Sequence, residues 1–152
     1  MVRKATNNDL SAITQLYREQ FREMAKLIPD FIKEGNQNTE FIENTITNCE
    51  SDILVYEENG KVIGFILIQA KKRPDFEFMI PDKYCYIMDI IVTEKHRGKG
   101  FGTALMNAAK DWAKKQECNF INLDVLVNNP DAIRLYNKLG FIPKAQEMYC
   151  KL

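Results

Sequence analysis

Apolar positions in the first third of the chain follow a helical period. Residues spaced three or four apart between positions 10 and 24 predict one amphipathic helix with a single buried face, formed by Leu10, Ile13, Tyr17, Phe21 and Met24. The polar run 6–9 before them is typical of a helix cap. A second short helix is predicted around 39–48, and Val2–Ala5 is predicted to be a short first strand.

The middle of the chain changes to continuous apolar runs typical of strands, which we predict at 52–58, 61–72 and 84–92. Asn59-Gly60 separates the first two runs and is a strong hairpin signal.

A helical pattern then precedes a further predicted strand at 120–127. Asn129-Pro130 predicts the start of the next helix, and Gly140 predicts its end. A final strand is predicted over 147–152.

This order of elements predicts an α/β (α+β) fold, in which helices flank a mostly antiparallel central sheet. One βαβ crossover is expected after the third long strand. With 152 residues and no repeat or linker, residues 1–152 are predicted to form a single domain.

Composition and charge narrow the classes of function. The formal net charge is zero, so we expect no nucleic-acid partner. No apolar segment resembles a signal peptide or a membrane span, so we expect no membrane partner and a cytoplasmic location. The four cysteines form no CxxC pair and are expected to be reduced and mostly buried. His96 is the only histidine, so no metal site is expected.

The most informative segment is Arg97-Gly98-Lys99-Gly100-Phe101-Gly102, which lies between a predicted strand and a predicted helix. Backbone N–H groups in such a turn point at one spot near the positive end of the helix, and this arrangement binds phosphate. A Walker A loop is absent, because no Lys followed by Ser or Thr stands at the required spacing. A dinucleotide site remains open, since Asp124 follows at the distance of a ribose-binding acid, although the third glycine falls one residue early. A tight turn without a ligand is the third interpretation.

The RGKGFG loop resembles the [RQ]-x-x-G-x-[GA] motif of the GNAT N-acetyltransferase superfamily, which uses acetyl-CoA. The run from Asn129 to Phe141 resembles the second motif of that family, N-x-x-A-x-x-x-Y-x-x-x-G-F. Both motifs occur in the family's order, with a helix and a strand between them. The resemblance covers the chain from about Ile87 to Phe141.

The resemblance implies which residues bind acetyl-CoA. The backbone of Ile90, Ile91 and Val92 would bind the pantetheine arm and the thioester, and an N–H group there would stabilise the oxyanion. The loop would bind the pyrophosphate through Arg97, Gly98, Lys99, Gly100, Phe101 and Gly102. Asn129, which also caps a helix, would contact the pantetheine. Tyr136 would protonate the departing thiolate.

The resemblance leaves the general base open. Some relatives use a Glu where this chain has Met88, which departs from their pattern. Others use a Glu at the position of Asp124, whose shorter side chain can require a relaying water. Asp89 is the second candidate, because an acid inside an apolar strand must be either paired or functional. His96 is interpreted as a rim or packing residue.

The family resemblance implies a small-molecule or peptide amine as acceptor, and a homodimer is compatible with it. Eight acids and one base between positions 30 and 60 would attract a cationic amine, unless they are simply exposed. Two other functions remain open: a non-catalytic CoA-binding module of the same fold, and a dinucleotide-dependent oxidoreductase.

Overall fold

A computed structural model describes all 152 residues and contains one five-stranded sheet with the order β1-β2-β3-β4-β5. The strands are β1 (Val2–Lys4), β2 (Ser51–Glu58), β3 (Lys61–Lys72), β4 (Lys83–Val92) and β5 (Phe120–Leu123). The helices are α1 (Leu10–Leu27), α2 (Thr39–Thr47), α3 (Phe101–Lys115) and α4 (Pro130–Lys138).

The predicted fold class is confirmed. Strands β1 to β4 pair antiparallel with their neighbours, whereas β5 pairs parallel with β4 through the crossover that contains α3. A dinucleotide-binding fold is built on a mostly parallel sheet, so this topology does not support the oxidoreductase alternative.

Two apolar clusters cover the two faces of the sheet. On one face, which we call the α1 face, α1 and α2 pack on Ile53, Val55, Phe65 and Leu67. On the other, the α3 face, α3 and Tyr136 of α4 pack on Leu54, Ile66, Ile68 and Ile87. Successive side chains of β2 and β3 enter the two clusters in turn, so both faces of these strands are buried. This explains why their sequences are continuous apolar runs.

A single 3-10 turn, Asn7–Asp9, leads into α1, and the predicted polar run caps this turn. The carboxylate of Asp9 accepts hydrogen bonds from the backbone N–H and the hydroxyl of Thr6, at 2.8 and 3.2 Å. Arg3 of β1 binds the same carboxylate, so the first strand and the first helix are joined by one ion pair.

The predicted final strand over 147–152 is wrong: residues 141–152 contain neither helix nor strand. This segment forms no backbone hydrogen bond with β5, whose outer edge therefore has no partner strand. It instead contacts the loop after α1, where Tyr149 packs edge-on against Phe31 and Lys151 pairs with Asp30 at 2.8 Å. The strand at 120–127 is also shorter than predicted and ends at Leu123.

Candidate active site

Strand β4 carries a β-bulge at Met88. Leu67 of β3 pairs with Asp89, whereas the next residue of β3, Ile68, pairs with Ile87. Ile87 belongs to the cluster on the α3 face and Ile91 to the cluster on the α1 face, although residues four apart in a regular strand share a face. The extra residue thus turns Asp89 towards α1 instead of burying it under α3.

The bulge also marks the point at which β4 and β5 separate. Their pairing ends at Ile87 and Leu123, while β4 continues beside β3 as far as Val92. Residues 88–92 therefore have no strand beside them on the β5 side. This opening contains the predicted thioester-binding residues. In the loop after β5, the Asn128 side chain donates to the carbonyl of Leu27 at the end of α1, at 2.6 Å.

Gly64 of β3 allows the sheet to close tightly behind this opening. A Cβ atom at Gly64 would lie 2.6 Å from the carbonyl oxygen of Ile91, closer than real contacts allow. The absence of a side chain at Gly64 thereby permits the close approach of the β4 backbone at Ile91 and Val92.

The glycine loop has the geometry of a phosphate cradle. Gly98 and Gly100 have φ angles of +75° and +88°, a region that glycine adopts without strain. No side chain stands within 4 Å of the Cβ position at either glycine. The backbone N–H groups of residues 98–103 donate to no acceptor in the chain, and α3 begins among them at Phe101. A diphosphate would satisfy these orphan donors at the positive end of α3.

The two cations of the loop differ in their surroundings. The Arg97 guanidinium donates to both carboxylate oxygens of Glu23, at 2.8 and 2.9 Å, and to the carbonyl of Val92 at 2.9 Å. Arg97 thus ties the loop to α1 and to the end of β4. Lys99 is exposed and forms no ion pair, so it is the free cation of the loop.

Asp89 is held by two donors from α1. Tyr17 Oη donates to Oδ2 at 2.8 Å, and Gln20 Nε2 donates to Oδ1 at 3.0 Å. Burial raises the pKa of Asp89 above its ordinary value, and the two hydrogen bonds oppose that rise. Burial beside this carboxyl in turn raises the pKa of Tyr17, which keeps its hydroxyl protonated as a donor.

Asp124 lies directly after β5 and is exposed. Its Oδ2 accepts a hydrogen bond of 2.8 Å from the hydroxyl of Tyr86 on β4. Burial is the main cause that raises the pKa of Tyr86 to about 12, followed by the hydrogen bond to Asp124, the charge of Asp124 and the charge of Asp89. Tyr86 thus stands close to both carboxylates that sequence reasoning proposed as bases.

Tyr136 and Asn129 occupy α4. The Tyr136 ring is 8% exposed and packs near Phe141, with ring centroids 5.8 Å apart. Burial raises the pKa of Tyr136 to about 12. The Tyr136 hydroxyl forms no hydrogen bond within the chain. It is not fully buried, so it keeps some access to solvent. Asn129 caps α4 as predicted, because its Oδ1 accepts from the N–H of Ala132 at 3.2 Å.

Half of the eight acids between positions 30 and 60 are paired with cations of the chain. Four of the eight pair with Lys or Arg and a fifth faces His96; the five are Asp30, Glu34, Asp52, Glu57 and Glu58. Asp52 is buried and also accepts from the indole N–H of Trp112. These pairings offset the charge of part of the acidic segment.

The cysteines are free, but only partly as expected. Cys85 is buried and Cys118 half-buried, whereas Cys49 and Cys150 are exposed. Burial raises the pKa of Cys85 to about 12, which makes its thiol a poor nucleophile. No group of three or more His, Cys, Asp or Glu side chains is arranged to hold a metal ion. None of the helices combines the length and hydropathy needed to cross a membrane.

Three site residues were missed by sequence reasoning: Tyr17 and Gln20, the donors to Asp89, and Tyr86, the donor to Asp124. The sequence placed Tyr17 on the apolar face of α1 and Tyr86 within the strand predicted at 84–92, without a partner for either hydroxyl. Gln20 carries no signal in the sequence. The contacts to Asp89 depend on the bulge, which turns its side chain towards α1.

Comparison with known proteins gives concordant results. The model of the acetyltransferase (GNAT) family matches residues 10–141. An uncharacterized N-acetyltransferase of Methanocaldococcus jannaschii is 31% identical over 143 residues, which are 94% of this chain and 61% of that protein. One of Bacillus subtilis is 32% identical over 141 residues, which are 92% of this chain and 88% of that protein. The chain thus spans less than two thirds of the archaeal relative.

Solved structures share the fold. A crystal structure of a mutant of the BH1408 protein from Bacillus halodurans superposes with a TM-score of 0.95 at 26% identity, covering 100% of this chain and 99% of that one. An aminoglycoside N-acetyltransferase solved in complex with CoA superposes with a TM-score of 0.75 at 15% identity, covering 100% of this chain and 93% of that one. The second likeness concerns the fold alone.

Proposed function

This chain belongs to the GNAT acetyltransferase family, and from that premise we propose that it transfers the acetyl group of acetyl-CoA to a primary amine by direct attack. One observation carries the proposal: the unpaired N–H groups of residues 98–103 follow the uncovered backbone of residues 88–92, with only residues 93–97 between them. If the diphosphate of CoA binds to the N–H groups of residues 98–103, the pantetheine arm would extend along the backbone of residues 88–92.

The residues present fit acetyl-CoA. The diphosphate would be bound by the loop N–H groups, with Lys99 adding a free positive charge. The pantetheine amides would pair with the β4 backbone at Ile90 to Val92, as an added strand does at a sheet edge. Asn129 would contribute its side-chain amide, whose nitrogen is not used by the helix cap.

The reaction forms one bond and breaks one. The amine nitrogen bonds to the acetyl carbon, the carbon–sulfur bond breaks, and CoA leaves as a thiolate. The proton lost by the amine goes to Asp124, whose Oδ1 accepts no hydrogen bond within the chain, directly or through a water. Asp89 is the second candidate, although both of its oxygens already accept. Tyr136 returns a proton to the thiolate.

Acetyl-CoA binding is tested by thermal unfolding with acetyl-CoA, and with NAD and ATP as controls. A ligand at about 100 times its Kd stabilises a protein by about 2.7 kcal/mol. We expect a shift with acetyl-CoA alone, followed by CoA release when amines are supplied. Binding without release from any amine would favour a non-catalytic CoA-binding module, and a shift with NAD alone would overturn the proposal.

The acceptor is proposed to be a small molecule or a peptide amine, and the protein is proposed to act in the cytoplasm without nucleic-acid or membrane partners. A homodimer is proposed on the exposed apolar side chains of the last segment: Ile142, Met148 and Tyr149 are 85%, 84% and 65% exposed. Sedimentation velocity tests it, and a single species of monomer mass at micromolar concentration would contradict it.

A further inference from the structure

The α1 face of the sheet is open beyond Asp89. Strand alternation places side chains from three neighbouring strands on this surface, which we call the open face: Lys71 of β3, Tyr84 and Tyr86 of β4, Phe120 of β5, and Asp124 after it. Apart from exposed Asp124 all are half-buried, and Tyr84 stacks on Phe120 with ring centroids 5.3 Å apart and planes inclined by only 4°. The open face therefore has a flat aromatic floor next to the two candidate bases.

Two cations stand over this floor. Lys71 Nζ lies 4.3 Å from the centroid of the Tyr86 ring, and the guanidinium carbon of Arg73 lies 5.3 Å from the centroid of Phe120. Both cations are half-buried, and neither forms an ion pair within the chain. The aromatic rings hold them in place while leaving their N–H donors free for a partner.

The open face is therefore polarised. The ring of Tyr86 lies under Lys71, and its hydroxyl binds Asp124, so one side chain separates a free cation from a carboxylate with a free oxygen. If Asp124 bound the acceptor amine, Lys71 and Arg73 would lie at the other end of the aromatic floor from that amine. A second cationic group on the acceptor, placed beyond the reacting amine, would be repelled there.

We propose that the acceptor carries an anionic group, a carboxylate or a phosphate, in addition to the amine that is acetylated, and that Lys71 and Arg73 bind that group. The inference rests on the proposed transferase function and names its substrate class. Because the Tyr86 ring lies between the two charged sites, several bonds separate the amine from the anion.

The test compares acceptors that differ only in the anion. γ-Aminobutyrate and ε-aminocaproate are paired with butylamine and hexylamine, and phosphoethanolamine is paired with ethanolamine, which separates phosphate from carboxylate. We expect kcat/KM to be at least about tenfold higher for the anionic member of a preferred pair, the factor that one charge-assisted hydrogen bond supplies. The difference should appear in KM, since the anion is remote from the reacting atoms.

Variants assign the preference to the two cations. Lys71→Gln and Arg73→Gln should each reduce the preference several-fold, and the double variant should abolish it while leaving kcat/KM for the plain amine unchanged. Lys71→Arg should retain it. Lys115→Gln, which removes an exposed charge from α3 on the opposite face of the sheet, serves as the matched control.

Binding of the probes with CoA in place, measured by calorimetry, gives a readout that needs no turnover. Equal binding and equal kcat/KM within every pair would overturn the inference while leaving the transferase proposal standing. Retention of the preference in the double variant would overturn the assignment to Lys71 and Arg73. Failure of the transferase itself is recognised separately, by the absence of an acetyl-CoA thermal shift or by the absence of CoA release with every amine supplied.

Discussion

Tyr17 Oη donates a 2.8 Å hydrogen bond to Asp89 Oδ2 and joins α1 to β4 directly after the bulge, across 72 positions of sequence. Tyr17 is fully buried, and its ring also packs against Phe65 of β3 with centroids 4.9 Å apart. The aromatic body thus belongs to the core, while the hydroxyl stabilises the one carboxylate inside β4. Core packing and site geometry depend here on the same side chain.

Replacing Tyr17 by Phe should therefore destabilise the protein in a pH-dependent way. The hydroxyl stabilises the ionised form of Asp89, so its loss raises the pKa of Asp89 further above its ordinary value. The cost should be about 1–3 kcal/mol where Asp89 is ionised and smaller at a pH below its pKa, where the carboxyl is neutral. Urea unfolding of Tyr17→Phe and the natural protein across the acidic and neutral range measures this difference.

Tyr56→Phe is the matched control, because Tyr56 is half-buried and packs on Phe101 on the other face of the sheet. Its effect on the free energy of unfolding should not vary with pH. A cost of Tyr17→Phe that stays constant across the range would show that Asp89 does not respond to this hydrogen bond.

Asp124→Asn and Asp89→Asn should separate the two candidate bases. If Asp124 accepts the proton, Asp124→Asn should lower kcat by about 100-fold or more, while acetyl-CoA affinity remains unchanged. Asp89→Asn should have the smaller effect on kcat and the larger effect on stability, since it disrupts the contacts with Tyr17 and Gln20. Steady-state kinetics combined with thermal unfolding measures both, and the reverse order would assign the base to Asp89.

Tyr136→Phe should reduce turnover far more than acetyl-CoA affinity. The pKa of Tyr136 is raised to about 12, so the hydroxyl holds its proton at neutral pH and can give it to a thiolate. Because that hydroxyl forms no hydrogen bond within the chain, its removal should leave stability almost unchanged. Tyr149→Phe, at an exposed tyrosine of the last segment, is the control. Equal losses of kcat and affinity in Tyr136→Phe would exclude the acid role.

Most of the fold follows from local patterns in the sequence. The spacing of apolar residues locates α1, the Asn59-Gly60 turn locates the β2–β3 hairpin, and Asn129 with Pro130 locates the start of α4. Each signal is local because the buried face or the capping bond lies within a few residues of the side chain that causes it. The loop from Arg97 to Gly102 was recognised for the same reason.

Local patterns do not predict features that depend on contacts between residues far apart in the sequence. The bulge at Met88 has no sequence mark, since its effect appears only when β3 and β4 pair, and it decides that Asp89 meets Tyr17 and Gln20. The last segment, 147–152, was predicted as a strand from its sequence, but a strand forms only beside the edge of another strand. Here its side chains contact Asp30 and Phe31 in the loop after α1 instead of joining β5.

Gly100→Val should abolish acetyl-CoA binding without unfolding the protein. Gly100 has a φ of +88°, which a β-branched residue adopts only with strain, and the side chain would enter the cradle of N–H groups. We expect calorimetric affinity for acetyl-CoA to fall by about 100-fold or more, with a strain cost of about 1–3 kcal/mol in stability. Gly35→Val is the control, since that glycine has open space around it and an ordinary φ. Unchanged affinity in Gly100→Val would show that the loop is not the phosphate site.

The Arg3–Asp9 pair should make the protein sensitive to acid. Hydrogen bonding from Arg3 lowers the pKa of Asp9 from 3.8 to about 2. A carboxyl whose pKa is lowered by folding contributes stability that is complete above its unfolded value and disappears as the pH falls through its folded value. The contribution should therefore be about 2 kcal/mol above pH ~4 and vanish below pH ~2. As the pH falls through this interval, the unfolding free energies of Asp9→Asn and the natural protein should converge.

Asp111→Asn is the control, because the side chain of Asp111 is 72% exposed. Its unfolding free energy should change with pH in parallel with that of the natural protein. Parallel curves for Asp9→Asn would show that Arg3 does not stabilise the ionised Asp9.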